Sequence, residues 1–182
     1  RRGALVLFMA FFATFWNGVS WPLLGPRLLE LLRGDMAALI VEPYQGAAGF
    51  IVPPEGWLTR VQQWCRDNDV LMILDEVQSS YGRTGMMFAL EHENLEPDMV
   101  CIGKGIGSGV TTAALVSRKR IFDSLAPGEM SSTHGGNPLC TAGSLAVLDI
   151  FEEEKLAENA DEIGRYMMGR FRKMQRGCRY LG

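Results

Sequence analysis

Three short apolar runs, at 36–41, 70–74 and 99–102, lie roughly thirty residues apart. Apolar runs of this length without a polar alternate are expected of strands covered by helices on both faces. Between the first two, Trp57, Leu58, Val61 and Trp64–Cys65 recur at helical spacing, and Pro53-Pro54 leads in. That pattern predicts a helix over 55–67. Pro26 and Gly34 bracket a further short helix at 27–33, with Pro at its first turn and Gly past its end. Residues 112–117 read as another strand, and 139–151 and 155–174 as successive helices, the second amphipathic. Glycine-bearing loops fall at 44–49, 79–85 and 103–109. The order β-α-β-(loop)-β-β-α-α describes part of a mostly parallel α/β domain.

Each of the three apolar runs leads into a different reactive residue: Glu42, Asp75 and, past one glycine, Lys104. Parallel strands share one carboxyl edge, where ligands bind in open α/β sheets. The three side chains are therefore expected to meet although far apart in sequence.

Composition narrows the classes. A length of 182 residues allows one domain or a piece of a larger one, and 47% hydrophobic with 21% charged residues is globular. The net charge of −3 argues against a nucleic-acid binder. The basic end carrying Arg165, Arg170, Arg172, Lys173, Arg176 and Arg179 is offset by Glu152–Glu154 and reads as a solvated helix face. Four cysteines without a CxxC, and only two histidines, provide little for a metal. Cys65 and Cys101 fall in apolar segments as buried thiols, and this usage fits a reducing, cytoplasmic compartment. Arg1-Arg2 and the apolar run 4–16 resemble a signal peptide, but no small-residue cleavage site follows. As a membrane span the run is short and is interrupted by Asn17 and Ser20. A buried or non-native start to a truncated chain is the expectation, with a membrane or signal segment as its rival.

Lys104 lies within Gly103-Lys104-Gly105-Ile106-Gly107-Ser108-Gly109. The glycines let a flat ligand approach the backbone. A P-loop would need a hydroxyl after the lysine, where Gly105 stands, and glycine at Asp98; glycine at every second position also misses GxGxxG. A strand-end lysine among glycines suits Schiff-base chemistry, and a solvent-exposed turn lysine is the alternative. Asp75-Glu76 follows five apolar residues, a costly place for an unpartnered carboxylate. A protonated ring nitrogen of a bound cofactor would be one partner: at about 3 Å and an effective dielectric near 20 the pair is worth roughly 5 kcal/mol, or about four pKa units. A cap on a following turn is the other reading. Residues 131–138, Ser-Ser-Thr-His-Gly-Gly-Asn-Pro, precede a helix start, where hydroxyls and backbone amides bind phosphate or where Asn137 simply caps ahead of Pro138. There is no GxSxG for a serine hydrolase. Paired carboxylates for glycoside cleavage, Glu42 and Asp75, would leave Lys104 unexplained.

Together the stretches Ile40-Val41-Glu42-Pro43-Tyr44-Gln45-Gly46, Leu74-Asp75-Glu76-Val77-Gln78-Ser79, Gly82-Arg83-Thr84-Gly85, Pro97-Asp98, Gly103-Lys104-Gly105 and Thr133-His134-Gly135-Gly136-Asn137-Pro138 resemble the class III, fold-type I aminotransferases that use pyridoxal phosphate. The resemblance runs over 34–182 and leaves out residues 1–25. It implies 26–151 as part of the large cofactor-binding domain and 152–182 as a helix leading toward a small domain. It further implies that Lys104 forms the Schiff base and shuttles a proton, and that Asp75 pairs with the pyridine nitrogen. Val77 would pack on the ring, Gln78 would bond the phenolic oxygen, and Thr133 would bind the phosphate across the interface of a homodimer. Glu42 stands at the family's active-site glutamate. The implied reaction moves an amino group from an amino acid or amine to a 2-oxo acid. A decarboxylating transaminase of the dialkylglycine type or a racemase would use the same residues, and a truncated, non-catalytic remnant is the alternative of another class. No metal, nucleic-acid or membrane partner is implied. The pattern departs from the family at Ala47, where many ornithine- and aminobutyrate-type members carry Glu, which argues against that substrate class. It also lacks the family's upstream glycine-serine phosphate loop and ring-stacking aromatic, and its downstream small domain with the substrate arginine.

Overall fold

The computed structural model describes residues 5–8, 36–130 and 132–178. Five strands form one sheet in chain order: β1 Leu5–Phe8, β2 Met36–Val41, β3 Leu71–Asp75, β4 Met99–Ile102 and β5 Ala114–Ser117. The first four are parallel, and β5 runs back antiparallel to β4 with Val116 opposite Val100. The helices are α1 Trp57–Asp67, α2 Lys119–Phe122, α3 Pro138–Glu153 and α4 Leu156–Gln175, with 3-10 turns at Ala89–Glu93 and Lys104–Ile106.

The three strands expected from the apolar runs are present, with the second shifted by one residue to end on Asp75. The helix expected over 55–67 starts at Trp57, because Gly56 takes a φ of +70° and holds the chain outside the helix. Pattern alone left the direction of the strand at 112–117 open. The short connection from β4 provides too little chain for a crossover, so β5 pairs antiparallel and is trimmed to start at Ala114. The Ala89–Glu93 turn and α2 went unpredicted, both being too short to show a period. Of the apolar start, Leu5–Phe8 lies in the sheet beside β2, Phe8 opposite Ile40. The rest of that run and the helix expected at 27–33 lie outside the described residues. Among the described residues no helix is long and apolar enough to cross a membrane.

The core forms where the α1 stripe meets the sheet: Trp57, Leu58, Val61 and Cys65 pack with Leu39, Val70, Met72, Leu74 and Leu95. Asp98 ties the strand starts together, accepting from Met72 N at 3.0 Å and pairing with Arg120 at 3.0 Å. α3 and α4 contribute no buried residue among those described, and the basic residues Arg165, Arg170, Arg172, Lys173 and Arg176 are exposed, as a solvated face requires.

Burial pushes the Cys65 thiol up to about 12, with the charge of Asp98 adding to it. An unfolded thiol titrates near 8.5, so only the unfolded chain loses this proton as pH rises above that value. Cys65 therefore adds stability that is intact below about pH 8.5 and is lost toward pH 12, at up to about 1.4 kcal/mol per pH unit. Urea midpoints between pH 8.5 and 10 should fall more steeply in the parent than in Cys65→Ala. Parallel slopes would count against this origin.

Candidate active site

The strand register builds the site. Val41 stands beside Leu74, Leu74 beside Val100, and Asp75 beside Cys101. Glu42, Asp75 and the Gly103-Lys104 turn thus emerge from adjacent parallel strands at one carboxyl edge. Past β3 the chain turns sharply, with Val77 N donating to Asp75 Oδ1 at 3.0 Å, while Glu76 N still donates to Cys101 O at 2.9 Å. This side chain-to-backbone bond is the capping role that Asp75 also invited as a sequence. Val77 lies against Gly103, where a Cβ would approach Val77 Cγ1 to 3.2 Å.

Lys104 takes a φ of +47°, a left-handed conformation that costs a lysine about 1 kcal/mol or more. Its side chain is exposed, yet its amine is tied down: Nζ donates to Gln78 Oε1 at 2.8 Å. Gln78 is held in turn from the loop after β2. Tyr44 Oη donates to Gln78 O at 2.9 Å, and Gly46 N donates to Glu42 Oε2 at 3.1 Å. Burial raises the Tyr44 phenol, Arg83 opposes the shift, and Glu42 and Glu76 add to it. The hydroxyl therefore remains a donor at neutral pH. Burial and then the charge of Asp75 raise the Cys101 thiol in the same way.

Of the six expected residues, the structure joins Glu42, Asp75, Val77, Gln78 and Lys104 at one edge. Thr133 stands apart on an exposed turn, and among the described residues no hydrogen bond links it to the other five. Its segment leads into α3, which packs against the Lys104–Ile106 turn. Asn137 does cap that helix, accepting from Leu139 N at 3.0 Å and Cys140 N at 3.3 Å.

One residue beside the site carried no expected role. Glu76 is fully buried, and its carboxylate accepts from Ala89 N at 3.1 Å, Leu90 N at 2.7 Å and the Ser79 hydroxyl. It bolts the Ala89–Glu93 turn onto the loop that carries Val77 and Gln78. The signal in the chain was a second carboxylate after a buried strand, followed by paired serines. Glu76→Ala would strand two amides and a hydroxyl in the interior, at about 1–3 kcal/mol for a typical unsatisfied group. A loss of roughly 3 kcal/mol or more is expected in urea unfolding, and an unshifted midpoint would show that the carboxylate is not holding the turn.

The comparisons agree with this architecture. The family model described as aminotransferase class-III matches residues 26–180. The acetylornithine aminotransferase of Methanothermobacter thermautotrophicus is 44% identical over 151 residues, 83% of this chain and 39% of that protein. The ornithine aminotransferase of Oceanobacillus iheyensis is 47% identical over 144 residues, 79% of this chain and 36% of that one. Among solved structures, the ornithine aminotransferase of Toxoplasma gondii superposes with a TM-score of 0.78 at 38% identity, covering 82% of this chain and 36% of that one. The chain thus spans 36–39% of the length of these relatives. Its sheet has the α/β architecture of the fold-type I enzymes. With a strand-end lysine, a neighbouring strand-end carboxylate and a family match over most of its length, the chain belongs to the class-III aminotransferases.

Proposed function

We propose that the protein moves an amino group from an amino acid or amine to a 2-oxo acid with pyridoxal phosphate as cofactor. The observation that carries this is Lys104, whose amine is anchored by Gln78 at the strand edge that Asp75 also occupies. The residues fit the group. Gly103 leaves room beside Val77 that a Cβ would crowd, and Asp75 Oδ2 accepts no hydrogen bond among the described residues. When bound, the cofactor supplies an aldehyde that condenses with amines and a pyridine ring that draws electrons from the substrate Cα.

Lys104 would hold the cofactor through its amine and would carry a proton between the substrate Cα and the cofactor C4′. Asp75 would keep the proton on the ring nitrogen, because a carboxylate near a cation favours the charged form. Val77 would pack against the ring, and Gln78 would donate its amide to the phenolic oxygen. Glu42 holds the loop above the site through Gly46 N. Thr133 would bind the phosphate; its exposed position supports a contribution to a partner's site in a homodimer. The division into a partial large domain at 26–151 and a helix at 152–182 leading toward a small domain is supported by the start of α4 at Leu156. Unpaired cysteines support a cytoplasmic location. The relatives are named for ornithine, acetylornithine and, in Mycobacterium leprae, 4-aminobutyrate. Ala47 provides no carboxylate at the exposed loop after β2, which supports a donor outside the ornithine and aminobutyrate types.

The test is an absorbance spectrum of the purified chain with pyridoxal phosphate, before and after borohydride, followed by peptide mapping. A reduced adduct on Lys104 is the expected result. A soluble, folded chain that forms none is a non-catalytic remnant.

A further inference from the structure

We infer that Tyr44 and Gly46 are positioning residues for Lys104, acting through Gln78. Among the described residues, the Lys104 amine makes one hydrogen bond, to Gln78 Oε1 at 2.8 Å. The orientation of that amide therefore decides where the amine points. Gln78 is fixed at two places by one loop. Its backbone carbonyl accepts from Tyr44 Oη at 2.9 Å. Its side-chain amide lies directly on Gly46, where a Cβ would come within 2.5 Å of both Gln78 Cδ and Oε1.

That loop has its own supports. Glu42 Oε2 accepts from Gly46 N at 3.1 Å, and Gln45 and Ile51 exchange backbone hydrogen bonds of 2.9 and 3.3 Å that close it. The Tyr44 ring is backed by Phe50, with ring centroids 5.9 Å apart. The consequence is a short mechanical path from the end of β2 to the turn after β4, in which, among the described residues, neither Tyr44 nor Gly46 hydrogen-bonds to Lys104. Glycine is required at 46 because any side chain there would push the amide off its seat. Tyrosine at 44 acts through its hydroxyl.

The inference rests on Lys104 being the attachment lysine, but its test does not need the cofactor. Acetic anhydride would be added in trace amounts to the full chain, and the acylation rate of Lys104 measured by peptide mass against Lys155 and Lys173. An amine tied to an acceptor reacts more slowly than one released from it. Tyr44→Phe and Gln78→Ala should each speed Lys104 acylation by about three- to tenfold, the equivalent of one net hydrogen bond. Because both act on one path, the double variant should react no faster than Gln78→Ala alone. Gly46→Ala should produce the same acceleration by displacing the amide while leaving the tyrosine in place. Val61→Ala, a core change remote from the loop, should lower Tm and leave the Lys104 rate alone. Parent-like acylation in Tyr44→Phe, additive effects in the double variant, or equal acceleration in Val61→Ala would each overturn the inference. If the parent formed no borohydride-stable adduct, the proposed function would fall while the acylation result still decided the positioning path.

Discussion

Lys104→Ala is expected to abolish the borohydride-stable adduct with pyridoxal phosphate while leaving the fold intact. The side chain is exposed and its one bond, to Gln78 Oε1, contributes little to stability. Alanine at a φ of +47° keeps the same backbone penalty as lysine, so urea unfolding should shift by less than about 1 kcal/mol. The chemical effect is all-or-none, since no other amine among the described residues rises from this strand edge beside Asp75. Peptide mapping after reduction is the direct check. An adduct retained in the variant at parental yield would remove Lys104 from its role and with it the proposed function.

Asp75→Asn should separate attachment from catalysis. Asparagine keeps an oxygen to accept from Val77 N, the 3.0 Å bond that shapes the turn after β3, so the loop carrying Gln78 is preserved. The adduct on Lys104 should therefore still form. What disappears is the negative charge that, in the proposed function, would keep the ring nitrogen protonated. A unit pair near 4 Å at an effective dielectric of 20 is worth about 4 kcal/mol. Since about 1.4 kcal/mol is a factor of ten, exchange of the substrate Cα hydrogen with solvent deuterium should slow by roughly three orders of magnitude. Parental exchange rates would show that Asp75 serves only as the cap on its own turn.

Most of the site was legible because its residues sit at strand ends. A buried strand announces itself as an apolar run, and the reactive residue that breaks the run marks the end. Glu42, Asp75 and Lys104 could thus be placed on one edge before any tertiary contact was known. Family resemblance then attached roles to Val77, Gln78 and Thr133. Helices with a clear stripe, such as α1, were equally readable; α1 ends at Asp67 as expected, and its start moved to Trp57, where Gly56 holds the chain outside the helix.

Three features were decided by tertiary structure. β5 could be seen as a strand but its direction could not, since direction depends on the length and path of the connection and not on side-chain pattern. The role of Glu76 depends on Ala89 N and Leu90 N, which arrive from thirteen and fourteen residues away in a turn with no periodic signal. The path from Tyr44 to Lys104 runs through Gln78, 34 residues from the first and 26 from the second. Local sequence determined which segments extend, which coil and which residues their ends expose, because those properties follow from apolar period and from glycine and proline. Which of the exposed groups bond to one another was settled only by register and loop packing, where bonds of 2.8 to 3.1 Å depend on backbones placed to a fraction of an ångström.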